Sequence, residues 1–330
     1  MSDVFDGIFG QPKVRDFLRA CVRGDRVSHA YLFTGPAGSN KTAAAFALAK
    51  AIVCEGDPCS SCEACSADTC RRIDRKSHPD VHYLAPEGAQ GYIVEQIREL
   101  VADSQLAPLA GGHKVYILDR VDSLGTSAAN AFLKTLEEPP ERTVFFLITD
   151  QPAALLPTIV SRCRVVRFHP LTEEACAARL IALGQPPETA KKKARMAEGC
   201  VGRALAIDDG QLELRMALTR DVFSVHRPAD VPGVVNLYKE DKERQKLVLD
   251  TLEIALRDIL VQQAGGASVA GAGYAREAEA YAQRTPLSGG LALMETLRRA
   301  RVMLAGNVAF ASAFETILLQ ISEEYAKWPW

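Results

Sequence analysis

The run GPAGSNKT, Gly35 to Thr42, lies between the apolar stretch AYLFT and the Ala-rich stretch KTAAAFALAKAIV. A buried strand, a glycine-rich loop and a helix free of Gly and Pro, in that order, frame a phosphate-binding loop. In such a loop backbone N–H groups cradle phosphates, a Lys reaches the terminal ones and a hydroxyl holds Mg²⁺. Gly35, Lys41 and Thr42 fit the pattern G-x-x-x-x-G-K-[ST], and Asn40 stands where the second Gly belongs. The order of elements constrains the fold more than this one departure relaxes it.

Further apolar runs, DVHYLA, KVYILD and TVFFLIT, alternate with helical patterns such as IVEQIRELVAD and SAANAFLKTLEE. This βα alternation predicts an α/β fold whose parallel sheet is covered by helices on both faces. Ahead of the loop, Val14, Phe17, Leu18, Cys21 and Val22 recur at helical spacing. Beyond about residue 168 the strand-like runs stop, and an Ala-, Leu- and charge-rich chain predicts an all-helical second half. Breaks fall near Asp208-Asp209-Gly210 and at AGGASVAGAG, the latter read as a flexible connection between helices.

A chain of 330 residues, 48% hydrophobic and 24% charged, has room for two or three packed domains and no bias toward disorder. Its net charge of -2 gives no global attraction to nucleic acid, so contact with DNA has to be local or made through partners. The start MSDVFDGIFGQ lacks a basic stretch followed by an apolar one, and no long apolar run follows it. A cytoplasmic protein with no membrane partner is expected.

Five of the nine cysteines crowd into CEGDPCSSCEACSADTC. In a large intracellular chain thiols stay reduced, so this density reads as a metal site rather than a disulfide framework. Cys54, Cys59, Cys62 and Cys65 supply four thiolates for one tetrahedral zinc, with Cys70 expected as a bystander. The rivals are unpaired surface thiols and an iron–sulfur cluster. The cluster pattern wants a Cys followed by Pro at position 69, where the chain has Thr69 and then Cys70.

A second nucleotide motif is VYILDRVD, an apolar strand ending in Asp119, the place where phosphate-loop ATPases hold Mg²⁺. An active ATPase of the AAA+ type follows that Asp with a Glu that polarises water. Here Arg120 follows, and a guanidinium cannot accept a proton at physiological pH. Asp122, two residues on, is too displaced along an extended strand to replace the Glu. As a strand-end residue, Asp119 alone also fits a plain capping role.

HAYLFTGPAGSNKT, the cysteine-rich insertion, SHPD at Ser77 to Asp80, NAFLKTLEEPP and SRC at Ser161 to Cys163 together resemble the bacterial clamp-loader ATPases of the DNA polymerase III holoenzyme. The resemblance is strong over residues 5–210. Beyond that it is weaker, although LAGNVAFASAFETILLQI is similar to the closing helix of the family's collar. It implies an AAA+ domain with a RecA-like sheet and zinc-binding insertion (54–70) over residues 1–168. A small helical lid over 169–209 and an all-α oligomerisation collar over 210–330 follow.

Members of the family that act as motors, gamma or tau, keep a complete loop and Asp-Glu, whereas the stator kind has a damaged ATP site and keeps Ser-Arg-Cys. Asn40, Arg120 and the lack of a long C-terminal extension place the chain with the stator kind. Motor subunits also carry an Arg three residues after a lid Gly. Here Gly202 holds that offset from Gly199, and Arg203 comes one position late, about 100° round a helix. Thr149 matches the polar sensor residue, but the acidic Asp150 follows it.

The resemblance implies partners: gamma/tau and delta subunits, the sliding clamp, and primer–template DNA reached through the complex. It also implies that Arg162, positioned by Ser161 and Cys163, acts in trans on a neighbour's ATP. Gly35, Asn40, Lys41, Thr42 and Asp119 then form a degenerate site with weak or vestigial ATP or ADP binding. A surface salt bridge at a helix end is the plain alternative for Arg162. The competing functions are an active gamma/tau-type ATPase and a free-standing zinc and nucleotide module outside replication.

Overall fold

Strands flanked by helices on both faces must bury side chains of both parities, so the apolar runs are continuous rather than alternating. The computed structural model describes residues 4–24, 26–54, 67–88, 91–110, 112–240, 242–266 and 276–328. It divides into two compact units, residues 1–175 with 198–203 and residues 176–197 with 204–330.

The first unit is built on five parallel strands, β1 (Ala30–Thr34), β2 (Val81–Leu84), β3 (Lys114–Leu118), β4 (Thr143–Thr149) and β5 (Arg164–Arg167), in the order β2-β3-β4-β1-β5. Helices α1 (Pro12–Arg23), α2 (Lys41–Val53), α3 (Ala67–Asp74), α4 (Val94–Ser104), α5 (Thr126–Glu137) and the single turn α6 (Pro157–Val160) connect them. Four strands match the apolar runs. The fifth, RVVR, has only two apolar residues and escapes a search for such runs. Its charged ends suit an unpaired sheet edge, where arginines discourage pairing with another chain.

Side chains alternate between two cores. Tyr31, Phe33, Val115, Ile117, Val144, Phe146 and Ile148 face α1 and α2 residues such as Leu18 and Leu48. Their neighbours Leu32, Tyr116, Leu118, Phe145 and Leu147 face Ile97 and Leu100 of α4 and Phe132 and Leu136 of α5. On the first side Phe146 stacks on Phe33 with ring centroids 5.8 Å apart and meets Tyr31 edge-on.

The second unit is all helical among the described residues. It takes most of α7 (Glu173–Ala182), α8 (Pro187–Met196) and the end of α9 (Val201–Ala206), then α10 (Asp209–Phe223), α11 (Val231–Tyr238), α12 (Lys242–Gln263), α13 (Arg276–Arg284), α14 (Leu287–Ala305) and α15 (Phe310–Lys327). Its core collects helical stripes, Leu252, Leu256 and Ile259 of α12 with Phe314, Ile317, Leu318 and Ile321 of α15, around Phe223 and Tyr281. The expected break falls at Ile207–Asp208 between α9 and α10. The Gly/Ala tract falls between α12 and α13, and its residues 267–273 lie outside the described residues. No helix among the described residues is long and apolar enough to cross a membrane.

Because Phe146 is fully buried between two aromatic partners, Phe146→Ala is expected to lower unfolding stability by about 3–5 kcal/mol, the usual cost of an aromatic truncation in a core. Urea titration of the purified chain, followed by near-UV circular dichroism, measures this.

Candidate functional site

The phosphate-type loop leaves the C-terminal end of β1 and runs into α2. Gly35 and Gly38 take positive φ, and a Cβ on either would meet backbone at 2.4 Å, on Phe168 O and Arg203 N respectively. Asn40 caps α2 in the left-handed region at φ 72, which Asn tolerates better than most side-chain-bearing residues. The loop backbone therefore survives the loss of its second Gly.

Lys41 is buried, and its Nζ donates to the carbonyls of Gly35 at 2.6 Å and Pro36 at 2.7 Å. Burial lowers its pKa, opposed by the carboxylates of Asp150 and Asp119. Gly202 N–H donates to Gly38 O at 3.0 Å, closing one side of a cleft of about 390 Å³. Asn40, Lys41, Thr42, Asp119, Arg120, Thr149 and Asp150 line it. An acidic Asp150 in that wall opposes phosphate. Arg203 turns instead to Glu198, donating to Oε2 at 3.0 Å.

Asp119 follows β3 and accepts from the Tyr83 hydroxyl at 2.7 Å and the Arg120 N–H at 3.0 Å. Burial first, and then the Asp119 carboxylate, raise the Tyr83 pKa and keep the phenol a donor. Tyr92 donates to the carbonyls of Leu84 and Asp119, fixing the strand end. Neither tyrosine carried a motif in the sequence. Arg120 takes a left-handed turn at φ 49, and Val121–Ser123 form a 3-10 turn rather than an extended strand. That turn brings Asp122 to Thr149, whose hydroxyl donates to Oδ1 at 2.6 Å. The displacement argued for Asp122 from an extended strand does not apply, although Asp122 is absent from the cleft wall.

Arg162 occupies the other end of the sheet. β5 runs parallel to β1 with Arg164 opposite Tyr31 and Arg167 opposite Thr34. The loop follows Thr34, so Arg162 precedes β5 at the end remote from it. The paired residues alone separate the two by about 10 Å, at about 3.3 Å per residue. A segment that follows β4 leaves the sheet at its nucleotide end, but the direction of β5 shows that the chain has crossed to the opposite end by Arg162. The guanidinium donates through Nη1 to Thr158 O at 2.9 Å and pairs through Nη2 with Glu137 Oε1 at 2.6 Å. Ser161 Oγ lies 3.4 Å from Nη1. Cys163 packs against the second core, and burial pushes its thiol pKa up to about 12, so it stays neutral.

In the cysteine-rich segment, Cys54 follows α2 and Cys70 lies on α3, with the two Sγ atoms 3.7 Å apart. The Lys50–Asp74 ion pair at 2.7 Å ties the same two helices. Cys59, Cys62 and Cys65 lie outside the described residues. Among the described residues no three or more metal-binding side chains gather. In SHPD, the buried Asp80 accepts from the backbone N–H groups of Leu109 and Ala110 at 2.7 and 2.8 Å, and His78 Nδ1 accepts from Asp80 N–H. That motif anchors the loop ahead of β3.

The profile of the family described as "DNA polymerase III, delta subunit" matches residues 10–172. DNA polymerase III subunit delta' of Bacillus subtilis is 35% identical over 264 residues, 77% of this chain and 78% of that one. The chain belongs to the delta-prime family of DNA polymerase III clamp-loader subunits. The delta' subunit of Pseudomonas aeruginosa is 40% identical over 215 residues, 64% of this chain and 62% of that one. Subunit tau of Bacillus subtilis is 33% identical over 272 residues, 78% of this chain but 46% of that longer one. The resemblance read from the motifs thus extends well into the helical second half.

Asp80→Ala removes two hydrogen bonds to a charged acceptor and is expected to cost about 2–4 kcal/mol. Hydrogen exchange at the Leu109 and Ala110 amides should quicken, while Asp80→Asn, keeping one acceptor, loses roughly half as much. Unchanged exchange at both amides would show that the anchor is idle.

Proposed function

We propose that this chain is the stator of its clamp loader, itself inactive as an ATPase, and that it lends Arg162 to the ATP of a neighbouring gamma or tau subunit. The observation that carries the reading is strand direction. Arg162 precedes β5 while the chain's own loop follows β1, so the arginine is out of reach of its own nucleotide site. A planar, permanently charged guanidinium supplied from a neighbour stabilises phosphoryl transfer by a factor of about 10³–10⁵ in GTPases. The residues of the own site support silence. Arg120 replaces the carboxylate, Asp150 repels phosphate, and phosphates have to compete with two carbonyls for Lys41.

In this reading residues 169–209 serve as lid and 210–330 as collar, holding the chain in a ring with gamma/tau and delta subunits. The loader, working in the cytoplasm, acts on the sliding clamp and primed DNA. Any ATP or ADP bound at Gly35, Asn40, Lys41, Thr42 and Asp119 is bound weakly. A gamma/tau-type active ATPase is the alternative, and steady-state turnover by the isolated chain separates the two. We expect none. Turnover near the usual enzymatic range of about 1 per second or more would favour the alternative.

The insertion is read as a structural zinc site of Cys54, Cys59, Cys62 and Cys65, four thiolates leaving no open position for chemistry. The pair in hand fits the metal. Zinc–sulfur bonds of about 2.3 Å set tetrahedral sulfurs about 3.8 Å apart, and Cys54 and Cys70 stand at 3.7 Å. Cys70 therefore competes with Cys65 for the fourth position. Elemental analysis is expected to give one zinc per chain, lost in Cys59→Ser with Cys62→Ser. Of Cys65→Ser and Cys70→Ser, the variant that loses zinc to a chelator sooner identifies the fourth ligand. Iron, or no metal in fresh protein, contradicts the site.

A further inference from the structure

Glu137 ends α5 within the stretch TLEEPP, which has no chemical role in the functional reading so far. Its Oε1 lies 2.6 Å from Arg162 Nη2, and Thr158 O, on α6, takes the Nη1 donor at 2.9 Å. The two helices that supply these acceptors share one core, Phe132 and Leu136 of α5 packing with Ile159 of α6. The acceptors are therefore fixed with respect to each other. The arginine side chain is 33% exposed and the glutamate 49%. A pair this open changes an equilibrium by at most about fivefold and adds little to folding. It does, however, select one orientation of a long side chain.

A guanidinium has five N–H donors in one plane. With Nη1 turned to Thr158 O and Ser161 Oγ and Nη2 to Glu137, two donors stay unassigned among the described residues. An arginine already fixed in this way loses less conformational freedom on meeting phosphate than one that starts free. Because the ion pair is half-exposed and weak, phosphate oxygens can also displace the carboxylate without a large penalty.

We propose that Glu137 is a positioning residue, which holds the Arg162 guanidinium in the orientation offered to a neighbour's ATP. The proposal rests on the in-trans reading of Arg162, and the experiment separates its failure from that of the reading. Complete loaders are assembled with the unsubstituted chain, Glu137→Ala, Glu137→Gln, Arg162→Ala and the double variant Glu137→Ala/Arg162→Ala, with assembly checked by gel filtration. Phosphate release is then followed in a single turnover on primed DNA at several ATP concentrations. Arg162→Ala defines the phase that depends on the arginine.

In Glu137→Ala that phase is expected to slow about 2- to 5-fold, the most that a pair this open can bias the orientation of the side chain, with half-saturating ATP changed less than twofold. Glu137→Gln, which keeps an acceptor, should slow it less. The double variant should match Arg162→Ala within about twofold, because the two residues act as one unit. A merely structural tie would move assembly or stability and leave this pattern absent. Normal release in both glutamate variants beside a slowed Arg162→Ala overturns the positioning role, as does a double variant slower by the full Glu137 factor. If Arg162→Ala itself releases phosphate normally, the in-trans reading fails and the positioning role falls with it.

Discussion

The pairing of β1 with β4 on one side and β5 on the other fixes where every functional group of the first unit stands. All five strands run in one direction. The loop after β1, Asp119 after β3 and Thr149 at the end of β4 therefore gather at one end of the sheet. Whatever precedes β5 must sit at the other. The pairing is held by two cores that use alternate residues of the same strands, so no single face can slip without exposing aromatic side chains to water. The separation of the loop cleft from Arg162 is a consequence of backbone direction.

Within the cleft, the departures from an active ATPase act at different levels. Asn40 changes little in the backbone, since it adopts the left-handed angle the loop needs. Arg120 changes chemistry, removing a carboxylate from the place where water is polarised. Asp150 changes electrostatics. The Tyr83–Asp119 and Thr149–Asp122 hydrogen bonds give Asp119 and Thr149 partners within the protein.

Much of this was legible because strong signals were local. The strand–loop–helix order around GPAGSNKT, three further apolar runs and the switch to helical periodicity near residue 168 each rest on consecutive residues. What stayed hidden depends on contacts distant in sequence or on weak patterns. β5 has only two apolar residues and gives no strand signal of its own. The direction of β5, which moves Arg162 to the far end of the sheet, follows from pairing that no single segment encodes. Glu137 looked like one of two acidic residues at a helix end, and only the packing of α5 on α6 brings it to Arg162. Cys70 fell outside the tidy C-x-x-C spacing, yet α2 and α3 place it beside Cys54. Asp122 stays out of the cleft wall, but because Val121–Ser123 form a 3-10 turn that takes it to Thr149 and not because of displacement along an extended strand.

The most direct test of an exported arginine is clamp loading itself. Loaders containing Arg162→Ala would be compared with unsubstituted ones and with Arg203→Ala, whose side chain turns to Glu198. The readout is the rate at which a fluorescent clamp closes on primed DNA under ATP. We expect all three to assemble with equal stoichiometry, Arg203→Ala to load at the normal rate, and Arg162→Ala to load at least about tenfold more slowly, a modest share of what an arginine finger contributes elsewhere. Normal loading by the Arg162→Ala complex would contradict the export of the arginine and leave the chain a purely structural member of the ring.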